Sequence, residues 1–214
     1  MNTKKLSRIL AGTAVAGLVL TGCGGGTAAT GSTRPGPASA AAQGAHNDAD
    51  VEFARGMVLH HRQAVEMAEL AAGRTQNPQI LDLSARIDGA QEPEIQTMTG
   101  WLRRWGAEVP AAAARDADMA GMDHSGMVHG GSGGMQDMGG MMTPEQMQAL
   151  EQAHGAAFDR LFLQMMVEHH EGAVQMAQTE LAEGADTAAK QLAQTITDVQ
   201  RSEIAEMGTL LQQG

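Results

Sequence analysis

The 214-residue sequence predicts an all-α protein, a four-helix bundle built from two duplicated helical hairpins. Three observations carry that expectation. Aromatic residues make up 2% of the chain, with no tyrosine, while Ala, Gln and the 16 methionines are over-used, a composition that suits helices. Shifted by 109 residues, the sequence matches itself without a gap. Within the matching segments apolar residues recur at steps of four and three, the period of a helix with one buried face.

The elements follow in chain order. Residues 1–22 read as a secretory signal. Met1 to Arg8 carries Lys4, Lys5 and Arg8 and no acid, and an apolar run follows from Ile9 to Leu20. That run is too short to span a bilayer as a permanent helix. It ends in Leu20-Thr21-Gly22-Cys23, which resembles the bacterial lipobox, and Cys23 is the only cysteine in the chain. The expectation is cleavage before Cys23, acylation of its thiol, and anchorage to the outer face of the cell membrane. The mature chain would then hold no free thiol, which excludes disulfides within one chain, thiolate zinc sites and iron–sulfur clusters. Residues 23–46, rich in Gly, Ala, Ser, Thr and Pro, read as a flexible tether.

Residues 47–110 form the first hairpin. Its first helix begins at Asn47 or Asp48, both good N-caps, and is expected to stop at Gly73. The second begins at Asn77-Pro78, a cap followed by proline at the first helical position, and runs to about Trp105, where Gly106 and Pro110 stop it. Pro93 lies inside it and predicts a kink near Gly89. Residues 111–142 are a Gly-rich linker crowded with Met and His. Residues 143–214 form the second hairpin. Thr143-Pro144-Glu145-Gln146 opens a short helix with a capping box. Gly155 interrupts it, a long helix runs to about Glu183, Gly184 ends that helix, and Asp186 caps the last one.

The repeat brings out the residues with chemistry. His60-His61 matches His169-His170, Met57 matches Met166, Met67 matches Met176, and Gln91-x-x-Glu94-Ile95 matches Gln200-x-x-Glu203-Ile204. Phe53, Met57, His60, Ala64 and Met67 form one helical stripe, as do Phe162, Met166, His169, Ala173 and Met176. His61 and His170 lie about 100° round the helix, which lets one histidine of each pair face the core and the other the rim. Imidazole suits copper, zinc, nickel and iron, and thioether narrows that choice towards Cu(I). Two His-His pairs at matching positions point to metal ligands. Met57, Met67, Met166 and Met176 taken alone also fit plain core packing. Glu94 and Glu203 could point inward, as ligands or as acceptors for a histidine N–H, or lie exposed in salt bridges. In the linker, Met119, Met122, His124, Met127 and His129 sit where no core can form, so packing does not explain them. They could gather copper as Cu(I) or Cu(II) and pass it on.

The pattern Asp-x-x-Phe-x-x-x-Met-Val-x-His-His-x-x-Ala-Val-x-Met-Ala, followed by Gln-x-x-Glu-Ile-x-x-Met, resembles the DUF305 family of bacterial secreted proteins. The similarity spans about Asp48 to Leu211. It implies a ferritin-like helical bundle, and some members are similar to periplasmic copper-binding proteins. By that resemblance copper would be held by His60, His61, His169, His170 and the matching methionines. Pro93 falls inside the Gln-x-x-Glu-Ile motif and is a departure beside Glu94.

Function classes narrow accordingly. The full chain carries a formal charge of −11, and loss of the signal leaves 11 basic against 25 acidic residues, or −14. Nucleic acid is excluded as a partner, and cations are a natural ligand class. No Gly-x-Ser-x-Gly, free thiol or phosphate loop is present, so no enzyme is expected. The leading expectation is a membrane-anchored copper-binding or copper-buffering protein, with a copper-handling protein as a partner. A ferritin-like di-metal oxidase is the alternative, but it would use Glu-x-x-His pairs. Met57, Val58, Met166 and Val167 stand where those glutamates would be. An envelope-interaction lipoprotein with structural histidines is the third.

Overall fold

A computed structural model describes residues 45–111 and 139–213. The signal, Cys23, most of the tether, and the linker residues Met119, Met122, His124, Met127 and His129 lie outside the described residues. The rest is all-α. Helix α1 spans Asp48–Glu69, α2 Ala71–Arg74, α3 Pro78–Trp105, α4 Pro144–Gln152, α5 Ala156–Glu183 and α6 Thr187–Gln213.

The caps stand where the sequence places them. Asn47 Oδ1 accepts from Asp50 N (3.1 Å) and Asp50 Oδ2 accepts from Asn47 N (2.6 Å), a reciprocal box at the start of α1. Asn77 and Pro78 open α3, and Gly106, at φ +70°, closes it in the left-handed region. Thr143 and Gln146 box α4, and Asp186 Oδ1 accepts from Ala188 N and Ala189 N at the start of α6. One boundary differs. Gly73 does not end the first helix. Leu70 keeps right-handed helical backbone between α1 and α2, so Gly73 lies inside α2, and the chain turns extended only at Thr75. Helix α3 passes through Pro93 unbroken, with the Pro93 carbonyl accepting from Thr97 Oγ1 (2.8 Å).

Helices α1 and α3 form one hairpin and α5 and α6 the other. The hairpins join through α1 against α5, which run antiparallel. At one end of that seam Asn47 Nδ2 donates to Glu183 O (2.8 Å), and Asp50 accepts from Ala185 N (3.1 Å) and Asp186 N (2.8 Å). Burial opposes charge on Asp50, yet the amides of Asn47, Asp186 and Ala185 hold its pKa below the ordinary carboxylate value. Beside it, Glu180 is 1% exposed. Burial, together with the Asp50 carboxylate, pushes Glu180 up to about 8, so it keeps its proton at neutral pH.

The bundle core is two apolar clusters. One gathers Ala64, Met67, Leu83, Ile87, Phe158, Phe162, Met166 and Met207. The other gathers Phe53, Met57, Val58, Ile95, Met98, Ala173, Ala193 and Ile196. The 109-residue shift exchanges them: Met57 corresponds to Met166, Ala64 to Ala173, Ile87 to Ile196 and Met98 to Met207. Each fully buried large apolar side chain contributes roughly 1.5–3 kcal/mol. What lies between the two clusters, along every one of the four long helices, is polar.

Candidate metal centre

That polar layer is His60 and His61 on α1, Gln91 and Glu94 on α3, His169 and His170 on α5, and Gln200 and Glu203 on α6. The same 109-residue shift maps it onto itself. All four histidines are at most 1% exposed, and both glutamines are buried. The expected division into one core and one rim histidine per pair therefore fails. A helix of the same hairpin covers the flank where His61 or His170 projects, and it meets each ring with a carboxylate. His61 Nε2 lies 2.7 Å from Glu94 Oε2, and His170 Nε2 lies 2.8 Å from Glu203 Oε2. Glu94 is 19% exposed at its side chain and Glu203 9%, so both acids bridge from the layer to its edge. A carboxylate only accepts, so Nε2 is the protonated nitrogen. In the neutral ring this leaves the lone pair on Nδ1, facing away from the acid.

His60 and His169 meet across the α1–α5 seam, with ring centroids 3.8 Å apart and planes tilted by 46°. Burial, with the neighbouring imidazole of His61, lowers His60 to about 3, and burial beside His60 lowers His169 well below its ordinary value. Both rings are neutral at physiological pH. His60 Nε2 donates to the Gly139 carbonyl at 3.3 Å, a long bond.

The layer is under-satisfied. Among the described residues, eleven buried side-chain polar atoms lack a hydrogen-bond partner, and seven belong to it: Nδ1 of His60, His61 and His170, both ring nitrogens of His169, and Oε1 of Gln91 and Gln200. Such atoms are costly and uncommon in a settled core. They gather in one layer of the bundle, where their open nitrogens and oxygens could receive a ligand. The donor set suits a soft or borderline metal, because it offers neutral imidazoles in an apolar setting. Among the described residues no three His, Cys, Asp or Glu side chains form a ready-made cage. The inner His60/His169 pair offers two nitrogens, a number that fits a low-coordinate monovalent ion better than an octahedral divalent one.

The methionines divide. Met57 and Met166 lie one turn before His60 and His169, in opposite clusters, and so stand on opposite sides of the layer. Met67 is fully buried in one cluster, and Met176 is partly buried against the other. All four pack among apolar side chains. The sequence assigns no role to Gln91 and Gln200, although the repeat aligns them. It likewise passes over Gln63 and Gly172, where the repeat breaks between two motifs it otherwise preserves.

A sequence profile described as a domain of unknown function, DUF305, matches residues 50–211. Among curated proteins, none matches the sequence. A DUF305 protein from Streptomyces coelicolor, taken to be secreted, is similar in structure at 32% identity and TM-score 0.64, over 77% of this chain and 93% of that one. A DUF305 fragment from Deinococcus radiodurans is similar at 26% identity and TM-score 0.62, over 78% and 98%. CopM in its Cu(II)-bound form is similar at 31% identity and TM-score 0.59, over 77% and 96%. CopM has also been solved with Cu(I) and with silver.

Proposed function

The chain belongs to the DUF305 family, and from that premise we propose that it is an extracytoplasmic, membrane-anchored protein that binds copper in the polar layer between its two core clusters. The observation that carries this reading is the set of seven unpartnered buried atoms around the facing His60 and His169. His60 and His169 are neutral, so each of these two rings has one lone pair that can receive a soft metal without loss of a proton. Two relatives support it: CopM binds Cu(I), Cu(II) and silver, and the Streptomyces protein is taken to be secreted. His60 and His169 form the inner pair. His61 and His170 stand beside it, each oriented by its carboxylate, Glu94 or Glu203, in the arrangement that fixes a ligating ring and raises its basicity. Met57 and Met166 are the nearest thioethers along the helices. The Met/His linker supplies further sites that load the bundle, and lipidated Cys23 holds the whole at the membrane.

The protein binds and buffers metal rather than turning over a substrate. Glu94 and Glu203 are engaged by His61 and His170, and among the described residues no group of three His, Cys, Asp or Glu side chains is placed to build an oxidase centre.

The test is copper content after loading and washing, measured by mass spectrometry on the purified protein, on His60→Ala/His169→Ala, and on a deletion of residues 112–138. Copper retained by the wild type and the deletion but lost from the double variant is the expected result. Copper lost only with the linker would move the site out of the bundle. A wild type that retains none would end the proposal.

A further inference from the structure

The repeat breaks on both sides of the histidines, and one of the mismatched pairs carries a structural consequence. Gln63 in α1 corresponds to Gly172 in α5, each two residues after the second histidine of its pair, His61 or His170. Both contact the same piece of chain, Gly139–Met142, which leads from the linker into α4. The Gln63 side chain grips it from α1: Nε2 donates to Met142 O (2.9 Å) and Oε1 accepts from Met142 N (2.7 Å). Gly172 admits it against α5. A Cβ at position 172 would run into the Gly139 carbonyl and the Gly140 Cα. Gly140 has the matching requirement, at φ +84° with the Glu168 carbonyl 2.6 Å from where its Cβ would stand. Met142 is buried in the core and anchors the far end. Between these holds, the Gly139 carbonyl lies on His60 Nε2.

We propose that Gln63 and Gly172 hold Gly139–Met142 as a cover over the His60/His169 pair, and that a metal ion reaches the pair only as the cover lifts. This rests on the metal-binding reading for its purpose, but not for its geometry. The duplicated halves need one asymmetric feature to place a single strap across a two-fold arrangement. A long amide side chain on one helix and a missing side chain on the facing one supply it. Glycine is a poor residue for the interior of a 28-residue helix, and close backbone approach accounts for its presence at 172. The long His60–Gly139 bond is the weak point of the cover and the first contact an incoming ion would displace. Gln63 and Gly172 are positioning residues: neither touches the metal.

The test uses the full chain, wild type, Gln63→Ala and Gly172→Ala. Both substitutions favour helix, so the bundle is retained, as circular dichroism checks. Metal-free protein is treated with diethyl pyrocarbonate, which acylates neutral imidazole, and each histidine is followed by peptide mass spectrometry. His60 and His169 should react about tenfold faster in Gln63→Ala, the effect of losing two hydrogen bonds, and at least as much faster in Gly172→Ala, whose Cβ displaces Gly139 and Gly140. His61 and His170, tied to their carboxylates, should stay slow, and exposed His154 should keep its wild-type rate. In a second measurement, silver(I) should bind and leave each variant faster by similar factors, with little change in affinity. Unchanged rates at His60 and His169, or equal acceleration of all four buried histidines, would overturn the proposal. Accelerated acylation at His60 and His169 in a protein that binds no silver would sink the metal reading and leave the cover standing.

Discussion

Replacing His169 with leucine should stabilise the metal-free protein, the reverse of the usual outcome at a fully buried position. His169 is 1% exposed, and neither ring nitrogen has a hydrogen-bond partner. A buried polar atom left without a partner costs about 1–3 kcal/mol, so the two nitrogens cost roughly 2 kcal/mol at the low end of that range. Leucine removes that cost and gives up only a weak approach of the ring to the His60 backbone. A substitution of similar volume forfeits up to about 1.5 kcal/mol in imperfect packing. The net expectation is a gain of about 1 kcal/mol, or a rise in Tm of about 2–4 °C for a domain of this size. Chemical denaturation followed by circular dichroism reads it. In silver(I) at about a hundred times the dissociation constant, the wild type should gain about 2.7 kcal/mol by mass action, and His169→Leu should gain almost nothing. A metal-free variant less stable than wild type by 1 kcal/mol or more would show that the ring is satisfied in solution, and the argument from unpartnered atoms would fall. Equal stabilisation of both proteins by silver would place the metal elsewhere.

Three further expectations follow from the same geometry. Glu94→Gln and Glu203→Gln should each weaken metal binding by about tenfold, because the carboxylate that orients His61 or His170 is lost. Chelator competition measures this, and unchanged affinity in both variants would remove the carboxylates from the site. Glu180 has a folded-state pKa of about 8 against an ordinary 4.5. The folded chain therefore holds a proton that the unfolded chain lacks between those values, and raising pH through that window should erode stability by at most about 1.4 kcal/mol per pH unit. Denaturation between pH 5 and pH 8 should show a shallower slope in Glu180→Gln, and an identical slope would refute the assignment. Met57→Leu and Met67→Leu, close in volume, should each change stability by less than about 1.5 kcal/mol. A drop in silver affinity confined to Met57→Leu would mark it as a ligand, and no drop in either would leave both as core.

Much of this arrangement is legible in the sequence because it is local. The caps at Asn47, Asn77, Thr143 and Asp186 depend on residues two or three apart, and the stripe through His60 depends on helical period alone. The two-fold relation of the histidine pairs is visible in the repeat. What the sequence leaves open is tertiary. His61 reads as a rim residue because its own helix leaves it off the apolar stripe, and only the packing of α3 buries it against Glu94. That contact also selects among the alternatives for Glu94, which bonds a histidine despite Pro93 beside it. Asn47 reads as a helix cap, and it is one, but the grip of its box partner Asp50 on Ala185 and Asp186 and the proton Asp50 imposes on Glu180 depend on the far end of α5. Gly73 reads as a stop because glycine so often is one, yet Leu70 and the first turn of α2 keep the backbone helical past it. Gln63 and Gly172 were visible as a mismatch in the repeat, a signal that acquires meaning only when Gly139–Met142 is seen against both.

The position of the polar layer argues for a ligand on its own terms. Two hairpins that needed only to fold would gain by carrying apolar residues through the middle of the bundle, as they do on either side of it. Instead each copy interrupts its apolar stripe at the same level with two histidines, a glutamine and a glutamate. The outer histidines each commit Nε2 to a carboxylate of their own hairpin and keep Nδ1 unpartnered, whereas His60 and His169 face each other across the seam. A structural hydrogen-bond network would close on itself, and this one closes at its edges while staying open at its centre. On the proposed reading a metal would accept the ring lone pairs, most favourably where both hairpins contribute. Binding at His60 and His169 would then join the halves, adding stability to the one interface that the repeat alone cannot strengthen within either copy.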